Sequence, residues 1–450
     1  MLKHKRRSVI KLAGSAAAVA STGMAGILAT GRTPAYAQQK TVHWLRWVDF
    51  VPASDQLLRK ELVPQAEKEL GIKINLETVN GNDLQPRTTA AIQSGAGPDL
   101  IMAFNNTTYI YDNSVVDLTD LAEDLDKREG GIFKYCRSFC SNGKIFMSMP
   151  WAVPGAMISY RKSWFIEAGG AADGSFPKNW EEYRKVGKKL KAAGHPIGIG
   201  QSQELDSDMA LLAFMMCFGS FVQNAANRPT LNTKATIDAV KFMSEIYKSE
   251  DAAIFGWNPA SNNNYLYAGT ASMILNAISA TRTPESLNLP FSDDLWIWPI
   301  PAGPHGRIGL EHVMGCYNIW KFSKNKENAE KFLADLCING QAATTASQLY
   351  NFPSFPGAFP FAGIRKAAAA DSHKPHGKYS ILTTIAQRYT HNIGYPGTTN
   401  AAMDEVFSKY LIPQMFARVS QGKATANESV RDTMSVVKNI YAKWRKRGKI

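Results

Sequence analysis

Residues 90–106 read AAIQSGAGPDLIMAFNN. The opening residues have the character of a helix end. Ser94-Gly95-Ala96-Gly97-Pro98 stops that helix, because glycine accepts the left-handed cap and proline cannot continue it. Asp99 then leads into Leu100–Phe104, an apolar run of strand length that ends on Asn105 and Asn106. In open α/β sheets, ligands bind beyond the carboxyl ends of the strands, so both asparagines are candidate site residues.

The preceding residues supply the partners. Thr41–Trp47 alternates like a strand and leads to Asp49. Gln56–Leu70 has helical apolar spacing, with Gly71 as its cap. Ile72–Val79 alternates strictly, and Asn80–Asp83 is a turn and helix N-cap. The order β-α-β-α-β predicts a parallel sheet with right-handed crossovers. Further on, Ile145–Val153 and Met157–Lys162 read as strands around Pro154-Gly155. Helices are expected from Asn179 to Gly194, over Met209–Val222, over Thr233–Ser249 and over Asn325–Cys337. Strands are expected at 269–276, 295–301 and 315–320, and the last 50 residues read as helical with a basic tail. The Met209–Val222 run is almost wholly apolar but too short to span a bilayer, which makes it a core helix.

At 450 residues the chain has room for two or three core-sized units, and 45% hydrophobic with 20% charged residues is ordinary globular composition. The formal net charge is +13, yet six basic residues and no acid fall in residues 1–37. The remaining excess is scattered over helix faces without interleaved aromatics, which argues against a nucleic-acid surface. Arg6-Arg7 lies in a basic start, followed by a weakly apolar stretch and Ala35-Tyr36-Ala37. This pattern resembles a twin-arginine export signal cleaved after about Ala37. The five cysteines, Cys136, Cys140, Cys217, Cys316 and Cys337, are an odd number and form no obvious disulfide framework. The histidines show no metal spacing, and GxSxG, HExxH, GxxxxGK and GxGxxG signatures are missing. No enzyme activity and no cofactor are expected.

Six segments together resemble the family-1 extracellular solute-binding proteins of ABC importers, the group that includes maltose-binding protein. They are the N-terminal strand–helix–GIKIN unit, SGAGPDLIMAF, NGKIFMSMPWAV with MISYRK, FPKNWEEYRKVGKKLKAAG, YLYAGTASMILN, and WPIPAGP with GCYNIWKFSKNKENAEKFLADLC. The resemblance implies an α/β, two-lobed periplasmic-binding-protein fold of type II, each lobe a sheet flanked by helices. It implies hinge crossings near Met149–Val153, Pro299–Pro304 and Asn339–Phe352. The first lobe would then be 38–150 with 305–345, and the second 151–304 with 346–450. The implied protein is a periplasmic monomer that hands a small solute to a membrane permease. The family's maltose binder has an acidic sugar contact where this chain has about Pro154, and a stacking tryptophan where it has about Ser279, so maltose does not carry over.

A polar solute held between lobes needs aromatic faces and a few hydrogen-bonding groups. The candidates are Trp47, Asp49, Asn105 and Asn106 in the first lobe. Trp151 is placed at the first crossing, Trp257 and Asn276 in the second lobe, Glu311 and His312 after the second crossing, and Tyr350 and Phe352 after the third. None of these is Lys or Arg, which favours a sugar or polyol over an anionic solute. A polyamine-like cation, a small organic acid, or a secreted carbohydrate-active enzyme is the alternative.

Overall fold

The computed structural model describes residues 41–104, 107–152, 157–170, 177–310 and 315–450. The expected signal segment, part of the first crossing, and the candidates Asn105, Asn106, Glu311 and His312 lie outside the described residues.

The N-terminal half of the chain begins with β1 (Thr41–Trp47), β2 (Lys73–Val79) and β3 (Leu100–Phe104). β1 is central and parallel to both neighbours, with β2 in full register from Thr41↔Lys73 to Trp47↔Val79. β4 (Met149–Ala152) belongs to the same sheet, whereas β5 (Met157–Arg161) pairs antiparallel with β6 (Met273–Asn276) and β7 (Leu295–Pro299) in a second sheet. The short β8 (Gly309–Leu310) pairs with the later β10 (Thr390–His391). β9 (Gly315–Ile319) returns to the first sheet between β3 and β4, antiparallel to both, giving the order β2-β1-β3-β9-β4. The chain thus passes from one sheet to the other after β4 and comes back before β9.

The glycine stops behave as read. Gly71 and Gly95 both sit in the left-handed region, at φ 64° and 66°, and close the helices before β2 and β3. Asn80 caps the Gly81–Ser94 helix by accepting from the Asn82 backbone N–H at 3.0 Å. Leu100–Phe104 is buried throughout, as expected for a strand covered on both faces. Trp44 packs edge-on against Phe332 of the Lys326–Asn339 helix, with ring centroids 5.1 Å apart.

Several boundaries move. The strand expected over Ile145–Val153 is ordered as β4 only from Met149. Residues before it are held by turns, with Ile145 N–H donating to the Asn142 side chain at 3.0 Å. The apolar helix expected over Met209–Val222 runs from Leu205 to Cys217, because Glu204 caps it by accepting from the Asp206 and Ser207 N–H groups. The N-terminal helix begins at Pro52 and passes through a π-helical turn at Leu58–Leu62 before Val63–Leu70.

Beside the second sheet lies a buried carboxylate, that of Glu250. Glu250 is 4% exposed, and its Oε1 accepts from Ile199 N–H at 2.6 Å. Burial pushes its carboxyl from 4.5 up to about 8. Between those two pH values the native chain binds more protons than the unfolded one, so stability falls as pH rises from 4.5 towards 8. Glu250→Gln keeps the acceptor and removes the ionisation. Urea midpoints of the variant are expected to vary less between about pH 5 and about pH 8 than those of the parent chain. Equal slopes for the two proteins would show that Glu250 stays ionised.

Candidate functional site

A cavity of about 730 Å³ opens where the carboxyl ends of β1 and β3 face the second sheet's helices. Trp47, Asp49 and Phe50 follow β1, Asn80–Gln85 and Thr88 come from the next helix, and Phe104 and Thr107 close the first wall. Leu205 and Asp206, the turn Asn258–Ala260, and Phe407, Ser408 and Tyr410 form the opposite wall. A larger groove of about 1130 Å³ lies at the amino ends of the same strands, around Thr41, Lys73 and Asp99. It is built without residues of the second sheet or its helices and sits at the wrong end of the strands for an α/β ligand site.

The first wall is a set of interlocked aromatics over an ion network. Trp47 meets Phe50 and Phe104 edge to face, with centroids 5.1 and 4.8 Å apart. Asp49 lines the cavity but is 4% exposed, and both its oxygens are engaged. Oδ1 accepts from Val51 N–H at 3.1 Å, and Oδ2 accepts from Asn351 Nδ2 at 2.7 Å, with Arg46 at 3.5 Å. Arg46 is fully buried and also pairs with Asp55. Burial outweighs Arg46 and Asn351 and holds the Asp49 carboxyl above its ordinary value.

Asn351 is a residue that sequence reading missed between its two flagged neighbours. Its amide also donates to Ser54 Oγ at 2.8 Å, tying the 348–352 segment to the first wall. Gln348 and Leu349, just before, adopt left-handed φ of 52° and 72°. The Gln348 carbonyl accepts from Arg282 Nε at 2.8 Å. This segment is therefore clamped from both sides.

The opposite wall rests on a chain of amides. Asp206 Oδ2 accepts from Asn262 Nδ2 at 2.8 Å, and Asn263 Oδ1 accepts from Asn276 Nδ2 at 2.8 Å. Asn276 is thus a support of the wall and not part of its surface. Trp257 is 7% exposed and packs over glycines, since a Cβ on Gly198 would lie 2.7 Å from its ring. The three residues after it reach the cavity in its place. Tyr350 is buried, and burial followed by the charges of Asp49 and Asp206 holds its phenol well above its ordinary value, which places it near both walls. Phe352 packs among Met157, Ile278 and Leu382. Trp151 lies under the sheet beside Tyr317, centroids 6.1 Å apart, outside the lining. Of the described candidates, only Trp47 and Asp49 line the cavity.

Phe407, Ser408 and Tyr410 were missed because a run of C-terminal helix residues shows nothing locally of its approach to β1. Tyr410 has φ 51° and ψ 40° at the start of the Leu411–Ser420 helix. A tyrosine in that conformation costs on the order of 1–3 kcal/mol, and such strain clusters at functional sites. No group of three or more His, Cys, Asp or Glu residues is placed to hold a metal ion among the described residues.

Three comparisons place this geometry. Binding proteins of Brucella abortus and Brucella suis are 27% identical over 281 residues, 58% of this chain and 64% of theirs, so the chain spans a little under two thirds of their length. A maltose-bound MalE of T. maritima superposes with a TM-score of 0.74 at 15% identity, covering 89% of this chain and 99% of that one. A ribitol-bound ABC transporter solute-binding protein of Agrobacterium radiobacter gives a TM-score of 0.71 at 16% identity, over 89% and 98%. The fold is that of the two-lobed periplasmic binding proteins. The family model for bacterial extracellular solute-binding proteins matches residues 53–335, more than half of the chain, and the chain belongs to that family.

Proposed function

We propose that this chain captures a sugar or polyol between its lobes and delivers it to the permease of an ABC importer. The carrying observation is the wall composition. Aromatic faces from Trp47, Phe50, Phe104, Phe407 and Tyr410 stand among Asn, Gln, Ser and Thr side chains, with no Lys or Arg among the described lining residues. Such a wall stacks on the CH faces of a sugar and hydrogen-bonds its hydroxyls. The volume suits a small solute, since ligand pockets span roughly 300–1,000 Å³. Solved relatives bound to maltose, α-D-tagatose and ribitol support the same class. The lobes are taken as 38–150 with 305–345, and 151–304 with 346–450, acting as a monomer.

A melting screen against sugars and polyols tests this, because a solute that binds only the folded state raises the melting temperature. A screen without any shift would contradict it. Tyr410→Gly is the sharper probe. It relieves the left-handed strain and removes the ring, so stability is expected to hold or rise while affinity falls by about 1–3 kcal/mol, the scale of one large buried side chain. Unchanged affinity in that variant would take Tyr410 out of the site.

Export follows from Arg6 and Arg7 at the start of the chain. Replacing both with Lys is expected to leave the precursor in the cytoplasm, and normal periplasmic yield would refute the twin-arginine reading.

A further inference from the structure

All five cysteines are thiols, and none is more than 2% exposed. Four of them gather beside the first sheet. Cys136 and Cys140 precede β4, Cys316 lies on β9, and Cys337 lies on the Lys326–Asn339 helix. Cys316 stands opposite Ala103 of β3 and Pro150 of β4, and its Sγ donates to the Ala103 carbonyl at 3.8 Å. The Cys140 carbonyl accepts from Met147 N–H at 2.7 Å, just ahead of β4. Burial, and then the nearness of Cys316, Cys136 and Cys337, holds the Cys140 thiol well above its ordinary value. Burial also pushes the Cys316 thiol up to about 11. The thiolate is the reactive form, so the folded core protects these groups by ionisation as well as by access. Cys217 lies apart, on the Leu205–Cys217 helix, where its Sγ accepts from Ile308 N–H at 3.3 Å.

The chain makes two of these thiols early and covers them late. Cys136 and Cys140 are separated by three residues and stand well before residues 315–319, which supply β9. β9 fills the place between β3 and β4, and the helix carrying Cys337 follows it. Until that pairing forms, β4 has no partner strand in the first sheet, and Cys140 is not enclosed by Cys316 and Cys337. Pairing across such a sequence separation is slow, whereas short loops close quickly. In an oxidising medium the interval allows disulfide exchange. One cysteine thiolate attacks a sulfur of a disulfide oxidant, which forms a mixed disulfide and expels a thiolate. A second cysteine thiolate attacks the protein sulfur of that mixed disulfide and expels the other half. One S–S bond forms in the chain, the oxidant is reduced to two thiols, and the two cysteine protons end on them. The native core holds no disulfide, and a close-packed interior leaves little slack for one.

We infer that the first sheet must be completed in a reducing compartment, before export, and that the finished fold then shields its thiols from oxidants outside. This order of events does not depend on which solute is bound, and the cysteines carry it without the Arg6-Arg7 segment.

Cell-free synthesis of residues 38–450 tests this, once with dithiothreitol and once with glutathione disulfide. The yield of protein with the native melting transition is expected to be at least about tenfold lower in the oxidising arm. The lost material should run as intramolecular disulfides on a non-reducing gel. Protein finished in dithiothreitol and then moved into glutathione disulfide should keep all five thiols and its melting transition. Equal yields in the two arms overturn the inference, as does a loss of yield without disulfides. Oxidation of the finished protein while it remains folded overturns the shielding.

Discussion

Arg46→Ala is expected to lower the unfolding free energy by about 3–5 kcal/mol, because removing one partner of a buried ion pair strands the other charge. Arg46 is 0% exposed on β1, paired to Asp49 and Asp55, and its guanidinium lies 5.9 and 5.8 Å from the ring centroids of Trp44 and Trp151. Without it, Asp49 keeps, among the described residues, the Asn351 amide and the Val51 N–H as donors. The loop after β1 carries Asp49 and Phe50 into the cavity, so affinity should fall with stability. The double variant Arg46→Met with Asp49→Asn removes both charges and is expected to recover part of the loss. Urea unfolding of the three proteins checks this. A single-variant loss below about 1 kcal/mol, the scale of an exposed pair, would show that water reaches the network.

Trp151→Ala is expected to cost about 3–5 kcal/mol, the range for emptying a large aromatic from a core. Trp151 sits where the β4–β9 register shifts between Pro150 and Ala152, and its side chain is 3% exposed. Two glycines make room for the ring. A Cβ on Gly340 would lie 2.3 Å from Cζ3, and one on Gly315 would lie 3.2 Å from Cδ1. Its carbonyl accepts from Ser354 Oγ at 3.0 Å, which links β4 to the segment that carries Asn351. Solute affinity, measured under conditions where the variant is folded, should stay within about threefold of the parent chain, since a change of that size is under 1 kcal/mol. A large affinity loss with unchanged stability would instead make Trp151 a ligand contact.

The fold was largely legible because its signals are local. Gly71 and Gly95 stop helices, Ile72–Val79 alternates, and Leu100–Phe104 is an unbroken apolar run, each within a few residues of its cause. The rule that ligands sit beyond strand ends brought Trp47 and Asp49 to the cavity. The same rule placed Asn276 at a strand end, but its amide is consumed by Asn263. The remainder of the site depends on contacts no window contains. Asn351 reaches Asp49 across 302 positions, and Gln85 reaches Ser408 across 323 at 3.4 Å. The left-handed backbone of Tyr410 has no local glycine or asparagine to announce it. Aromatics at the expected crossings were read as solute contacts, whereas Trp151 and Phe352 are buried in the packing.

The account's central claim is that the solute is held between the strand ends of the first sheet and the wall formed by Asp206, Asn258–Ala260 and Phe407–Tyr410. A crystal structure of residues 38–450 with the sugar or polyol that gives the largest melting shift tests it most directly. The expected density touches Trp47 on one side and Asp206 or Tyr410 on the other. Density confined to the groove at Thr41, Lys73 and Asp99, with the cavity between the walls left to water, would contradict it.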